Sequence, residues 1–147
     1  MTTAVTPRRL SVSEFYMGRD LQYPVELTPE KQAAALVTVA RVNLLLDELA
    51  LAGIDVETNP RTKTVITSGW RPASVNGTTA GAAPRSKHML CQACDLYDPE
   101  GEIDGWLMEN FPVLEKIGLW VEHPSATKGW AHVQTVPPKS GRRVFYP

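Results

Sequence analysis

The chain has few cysteines, few histidines, almost no net charge and no long apolar run. Its 147 residues include two cysteines and three histidines, and its formal net charge is −1 at pH 7. With no basic excess to neutralise phosphates, nucleic acid is not an expected partner. No apolar segment approaches the roughly 20 residues that span a bilayer, so membrane insertion is not expected either.

The length and composition fit one globular domain over 1–147, with an N-terminal segment at 1–27 and a C-terminal tail at 136–147. Hydrophobic residues make up 43% of the chain and charged residues 21%, which excludes disordered and fibrous classes. The first ten residues contain two arginines but no apolar segment typical of a secretory signal. If the protein acts outside the cytoplasm, something other than this chain is expected to deliver it there.

Both cysteines, Cys91 and Cys94, lie in one C-x-x-C motif. A disulfide framework is not expected from a single pair at this spacing, and a thioredoxin-like redox pair would need a strand–helix context that the sequence lacks. We interpret both as small buried residues on the core side of a functional loop.

Helix and strand patterns alternate irregularly along the chain. Thr28-Pro29-Glu30 is typical of a helix start, and a helix is predicted over about 28–52, ended by Gly53. Residues expected to face the core are Phe15, Tyr16, Leu21 and Tyr23 in the N-terminal segment, and Leu36, Val37, Ala40, Leu44 and Leu45 in the helix.

Short β-branched or alternating segments predict four strands. They are expected at 64–67, 95–97, 119–122 and 130–135, with a long irregular segment at 73–86 and mostly helical residues at 103–117, interrupted at Pro112. A clear βαβ alternation is missing. The sequence therefore predicts an α+β fold in which a small antiparallel sheet carries the site and helices pack on one face.

The strongest chemical signal combines residues 86–95 with residues 130–134. They supply His88, Asp95 and, far along the chain, His132. Two imidazoles and a carboxylate are a ligand set of catalytic zinc sites, in which a fourth position stays open for water. In the strand at 130–135, Trp130 and Gln134 share a face with His132.

Three motifs carry a family resemblance. The segment SGWRP at 68–72 resembles an S-G-[YW]-R motif, residues 86–95 resemble S-x-H-x-x-G-x-A-x-D, and residues 130–132 resemble W-x-H. Together they are similar to the zinc-dependent D-alanyl-D-alanine carboxypeptidase and L-alanyl-D-glutamate endopeptidase family, which includes bacteriophage endolysins. The resemblance implies a Hedgehog/DD-peptidase-like fold and a metallopeptidase, a hydrolase that degrades peptidoglycan in the cell wall. It also implies Zn²⁺ held by His88, Asp95 and His132.

The resemblance further implies roles for other residues. Relatives differ in where the general base lies: one position corresponds to Gly129 and the other to Glu122, so Glu122 is the expected base, with His123 as the alternative. Arg71 is expected to hold a substrate carboxylate or polarise the scissile carbonyl. Ser86 and Trp130 are expected to contribute to substrate binding.

Cys91 departs from the family pattern, since it stands where the family usually has glycine. If that position requires a positive φ, a cysteine there is strained. A thiolate so near the metal could also compete as a ligand. A closed structural zinc site on His88 and the two cysteines is a weaker alternative, because a fourth ligand at finger-like spacing is missing.

The expected substrate is a peptidoglycan stem peptide, and the scissile bond could be L-Ala–D-Glu, D-Ala–D-Ala or a cross-bridge. A compact endolysin would remain in the host cytoplasm until a pore-forming protein releases it to the wall. The alternative is a structural or tail-associated virion component that uses the peptidase fold as a binding module. The Pro-Pro, basic and aromatic residues of the 136–147 tail could then dock a virion partner.

Overall fold

In the computed structural model, which describes residues 5–147, six α-helices accompany a five-stranded mixed sheet. The expected α+β class is confirmed. None of the helices described in this range is long and apolar enough to cross a membrane. The helices are α1 Val12–Tyr16, α2 Arg19–Gln22, α3 Pro29–Leu51, α4 Ala73–Thr78, α5 Glu102–Glu109 and α6 Phe111–Ile117, and the strands are β1 Ile66–Ser68, β2 Ala93–Asp98, β3 Trp120–Glu122, β4 Gly129–Gln134 and β5 Val144–Phe145.

The long helix α3 begins and ends where its sequence signals predict. The Thr28 hydroxyl accepts a hydrogen bond from the Lys31 amide, and Pro29 occupies the first helical position. At the other end Gly53 adopts a φ of 81°, a conformation that favours glycine. The helix predicted over 28–52 is therefore confirmed.

Of the five α3 residues expected in the core, only Leu45 is buried, so the buried face differs from the one predicted. Leu36 is 61% exposed and Leu44 52% exposed, while Val37 and Ala40 are exposed as well. Apolar residues occur on nearly every side of this helix, so the pattern alone did not select one face. The side chains that the helix buries are Ala35, Thr38, Val39, Val42, Leu45, Leu46, Leu49 and Ala50.

In the N-terminal segment, Phe15 and Tyr16 are buried in the core and Tyr23 packs against it, as predicted. Leu21 is 84% exposed, so the prediction that it anchors the segment is wrong. It lies in the four-residue helix α2, which buries none of its side chains completely.

The sheet has the strand order β1-β2-β4-β3-β5. Its first four strands pair antiparallel, but β5 pairs parallel with β3, so the expected purely antiparallel sheet is wrong. The difference arises in the C-terminal tail, where the backbone of residues 144–145 forms hydrogen bonds with β3. The Phe145 side chain is buried there. This part of the tail packs on its own domain.

Two connecting segments also differ from their expected form. The segment 73–86 is not irregular throughout, because its first half forms α4. The helical region at 103–117 is divided into α5 and α6 at Asn110, and Pro112 lies in the first turn of α6, where a missing amide hydrogen costs little.

The central strands β2 and β4 present two different faces. Asp95 pairs with His132 and Tyr97 with Trp130, and because side chains alternate along a strand, these residues share one face. The opposite face contributes to the hydrophobic core that the buried sides of α3, α5 and α6 complete. Its members in these two strands are Cys94, Leu96, Ala131 and Val133.

Candidate metal centre

Three side chains from separate elements converge on the polar face of β2 and β4. His88 comes from a short 3₁₀ turn at Lys87–Leu90, Asp95 from β2 and His132 from β4. Asp95 Oδ1 lies 3.2 Å from His88 Nε2 and 2.9 Å from His132 Nδ1. The potential ligand atoms of all three lie within 4.8 Å of one another, so this buried triad could hold a metal ion.

A backbone carbonyl sets the tautomer of His88. Its Nδ1 lies 2.8 Å from the carbonyl oxygen of Gly69. A carbonyl oxygen only accepts hydrogen bonds, so Nδ1 donates the proton and a neutral ring leaves a lone pair on Nε2. The His88 Nε2 atom is buried and has no hydrogen-bond partner. The Nε2 lone pair, which faces Asp95, is therefore free to bind a metal ion.

A side-chain amide sets the tautomer of His132. The Gln134 amide nitrogen donates to the carbonyl of Val136 at 2.9 Å, which turns Gln134 Oε1 towards the ring. His132 Nε2 lies 2.9 Å from that oxygen and donates its proton to it. In the neutral ring the lone pair is consequently on Nδ1, which faces Asp95.

With both rings neutral, three electron-rich atoms point at one another. Two imidazole lone pairs facing a carboxylate oxygen are repelled by it unless a proton or a metal ion lies among them. Zinc bound at about 2.0–2.1 Å in tetrahedral geometry places neighbouring ligand atoms roughly 3.3 Å apart, close to the separations of Asp95 from the two rings. The chemistry and arrangement of these donors fit a divalent metal such as zinc.

The ionisation of the triad follows from its neighbours. Burial alone would raise the pKa of Asp95, but electrostatic attraction to the two imidazoles beside it holds that pKa below its usual range. Burial lowers the pKa of His88. For His132, burial opposes protonation, yet the Asp95 carboxylate beside Nδ1 raises the pKa, so without a metal a proton on Nδ1 takes the place between the two groups that a cation would fill. Asp95 is therefore ionised, as a metal ligand requires.

The SGWRP segment at 68–72 hydrogen-bonds to the turn that carries His88. Its tryptophan, Trp70, is fully buried, and the indole donates to the Met89 carbonyl. The Arg71 amide donates to the carbonyl of His88 at 3.1 Å. A Cβ on Gly69 would lie 2.0 Å from the backbone oxygen of Phe15, so only glycine fits where the carbonyl must reach His88.

A cleft of about 350 Å³ opens over the triad. Arg71, Ser86, Glu122 and Trp130 line it, so the structure brings together the residues that the sequence analysis assigned to catalysis and substrate binding. Burial raises the pKa of Glu122 above its ordinary value, so this carboxylate takes up a proton more readily than an exposed glutamate does.

The alternative base, His123, has a different environment. Its ring stacks on Tyr146 with a centroid separation of 4.5 Å, and its Nδ1 accepts from the Ser125 amide at 3.1 Å. His123 is not among the described residues that line the cleft, whereas Glu122 is. Of the two candidates for the general base, the geometry therefore favours Glu122, because it faces the cleft.

Ser86 connects the cleft wall to the triad. Its hydroxyl oxygen accepts hydrogen bonds from Arg71 Nη2 at 3.1 Å and from the His88 amide at 3.2 Å. The hydroxyl thus holds both the Arg71 guanidinium and the turn that carries the His88 ring.

The two cysteines lie in the core. Both are fully buried and belong to the hydrophobic cluster, and neither is part of the metal-competent triad. Burial raises the pKa of the Cys91 thiol to about 12, which disfavours a metal-binding thiolate. Cys91 has a φ of 59°, so it adopts the left-handed conformation that was expected if this position required a positive φ.

Two residues support the triad in ways that their sequence positions do not reveal. The alternation of side chains along β4 placed Gln134 on the same face as His132, but it did not show that the Gln134 amide contacts the His132 ring. Gly69 was part of a motif, but its role as the acceptor for His88 depends on a contact 19 residues away in the chain.

No family model, no curated protein and no solved structure matches this chain.

Proposed function

We propose that the protein is a zinc-dependent peptidase that cleaves peptidoglycan stem peptides, of the D-Ala-D-Ala carboxypeptidase or L-Ala-D-Glu endopeptidase type, with a Hedgehog/DD-peptidase-like fold. The observation that carries this proposal is the convergence of His88 Nε2, Asp95 Oδ1 and His132 Nδ1 beneath a cleft that also contains a half-buried carboxylate, Glu122. The three motifs of the family resemblance, far apart in the sequence, meet at this one cleft.

His88, Asp95 and His132 would hold the metal. When bound, zinc supplies a Lewis acid that polarises a carbonyl and acidifies water. Glu122 would accept the proton of the attacking water and deliver it to the leaving amine, and its raised pKa favours that exchange. The half-buried guanidinium of Arg71 would hold a carboxylate or the scissile carbonyl of the peptide. Trp130 would contact the substrate from the cleft wall.

The test is mass spectrometry of purified peptidoglycan after digestion. Wild type should release new amino termini with zinc and none with excess chelator, and the mass of the fragments should identify the bond. Glu122→Gln keeps the size of the side chain but removes the base, so activity should fall by about 10²–10⁴-fold while zinc stays bound. Glu109→Gln, an exposed residue of α5, is the matched control and should be fully active.

Folded, zinc-loaded protein that cleaves no peptidoglycan would contradict the proposal. That result would favour the virion alternative, for which the expected finding is stoichiometric presence of this chain in purified phage particles. Cleavage that survives Glu122→Gln but not the chelator would keep the peptidase and reject Glu122 as its base.

A further inference from the structure

A second cavity adjoins the metal cleft, and three arginines line it. Arg19, Arg61 and Arg71 share this space of about 340 Å³. Asp95 and Trp130 line both the cavity and the metal cleft, so the two spaces meet at the triad. A substrate that occupies the cleft could therefore extend into the arginine cavity.

Each guanidinium is held in place by one oxygen atom. Arg19 Nη1 donates to the Trp70 carbonyl at 2.7 Å, and Arg61 Nη2 donates to the Thr67 carbonyl at 3.0 Å. Since a guanidinium has five N–H donors, most of these donors remain for another acceptor. Arg71 Nε is buried and has no hydrogen-bond partner.

The cavity has a surplus of positive charge. Among its described lining residues Asp95 is the only carboxylate, and its Oδ1 already contacts both histidines. Burial lowers the pKa of Arg19, and the charges of Arg71 and Arg61 lower it further. Three guanidinium groups that repel one another around an open space favour an anionic ligand there.

We propose that Arg19 and Arg61, beside Arg71, form a carboxylate subsite that makes the enzyme select acidic peptides. The inference rests on the proposed peptidase function and specifies its substrate. The peptide would carry a free carboxylate close to the scissile bond, as the γ-linked D-glutamate of a stem peptide does. Amidation of that carboxylate would remove the charge that the arginines recognise.

The experiment compares two synthetic peptides. One is L-Ala-γ-D-Glu-L-Lys-D-Ala, and the other is the same peptide amidated at the D-Glu α-carboxyl. For zinc-loaded wild type, kcat/KM should be about 10- to 100-fold higher for the acidic peptide, the range expected of a charge-assisted hydrogen bond. Arg61→Gln should bring this ratio close to one, and Arg61→Lys should restore part of it.

Arg85→Gln is the matched control. Arg85 lines the metal cleft but is not among the described residues of the arginine cavity, so its loss should leave the ratio between the two peptides unchanged. Arg61 is exposed, and its substitution should not unfold the protein, which a thermal melt of each variant would verify. If wild type cleaves the peptides, equal kcat/KM values for the two would overturn the subsite.

A binding measurement separates this inference from the peptidase proposal. Zinc-loaded Glu122→Gln is titrated with each peptide in a calorimeter, with and without Arg61→Gln. Tighter binding of the acidic peptide that depends on Arg61 supports the subsite even if wild type cleaves neither peptide. Equal binding of both peptides, or binding of neither, contradicts the subsite.

Discussion

Two buried aspartates in this protein have opposite ionisation behaviour. Asp95 is 8% exposed and Asp104 2% exposed, and burial raises the pKa of each carboxyl. Around Asp95 the two imidazoles more than offset burial and lower its pKa. Around Asp104, burial and the nearby charges of Asp98 and Glu122 outweigh a hydrogen bond from Thr127 and raise the pKa to about 7. Neighbouring groups, more than depth, decide which aspartate carries the negative charge that a metal ligand needs.

The two regions therefore have different roles. The Asp98 carboxylate accepts hydrogen bonds from the amides of Ile103 and Asp104 and so stabilises the start of α5. Asp104 accepts from the Thr127 hydroxyl at 2.9 Å, which ties α5 to the loop between β3 and β4. We interpret the Asp104 region as structural and the Asp95 region as the metal centre.

The largest expected difference comes from changing each aspartate to asparagine. Asp95→Asn replaces a charged ligand by a neutral amide and should weaken zinc binding by at least about 100-fold. Asp104→Asn should leave zinc affinity within a few-fold of wild type. Competition with a chromogenic chelator measures both constants. Equal zinc affinity of the two variants would remove the distinction between the regions.

The next prediction concerns the support of His88. Gly69→Ala forces its new methyl group against the Phe15 carbonyl and should lower the free energy of unfolding by about 3 kcal/mol. It should also weaken zinc binding, since the carbonyl that orients His88 has to move.

Gly77→Ala in α4 is its matched control, because a Cβ there would meet nothing within 4 Å. That variant should leave stability unchanged or raise it by up to about 1 kcal/mol. Urea unfolding of both proteins provides the comparison. A tolerated Gly69→Ala would show that the close approach is not required.

The pH dependence of stability tests the Asp104 region. The pKa of Asp104 is raised to about 7 in the folded state, so the folded protein favours the protonated carboxyl. The stability that this protonation contributes is complete below the unfolded pKa of about 3.9 and is lost as the pH rises through about 7. Wild type should lose about 2 kcal/mol relative to Asp104→Asn between roughly pH 5 and pH 8. Urea unfolding of both proteins with excess chelator measures this difference. Parallel pH profiles would show that Asp104 ionises normally.

The smallest effect is expected at Cys91. Cys91→Ala should keep zinc affinity unchanged and cost about 1 kcal/mol of stability, because a buried sulfur is lost from the core. Chelator competition measures the zinc affinity of this variant, and urea unfolding measures its stability. A drop in zinc affinity would bring this thiol into the metal centre and extend that region to the other side of β2.

Local signals made part of the molecule predictable. The capping residues Thr28 and Pro29 indicated where α3 begins, and alternation along β4 placed Trp130 and Gln134 beside His132. Such features depend on residues a few positions apart, which the sequence displays directly.

The remaining features depend on long-range packing. Which side of α3 is buried, and the parallel pairing of β5, are decided by contacts between distant segments. The arginine cavity likewise combines Arg19 with Arg61, and these residues have no motif in common. Asp104 gave no signal because its pKa depends on Thr127 and Glu122, which follow it on other elements.

The most direct test of the metal centre is anomalous diffraction from crystals of zinc-loaded protein, recorded on both sides of the zinc absorption edge. We predict one peak that lies about 2.0–2.1 Å from His88 Nε2, from Asp95 Oδ1 and from His132 Nδ1. The absence of a peak there, or a peak on the sulfur of Cys91, would contradict the proposed zinc centre.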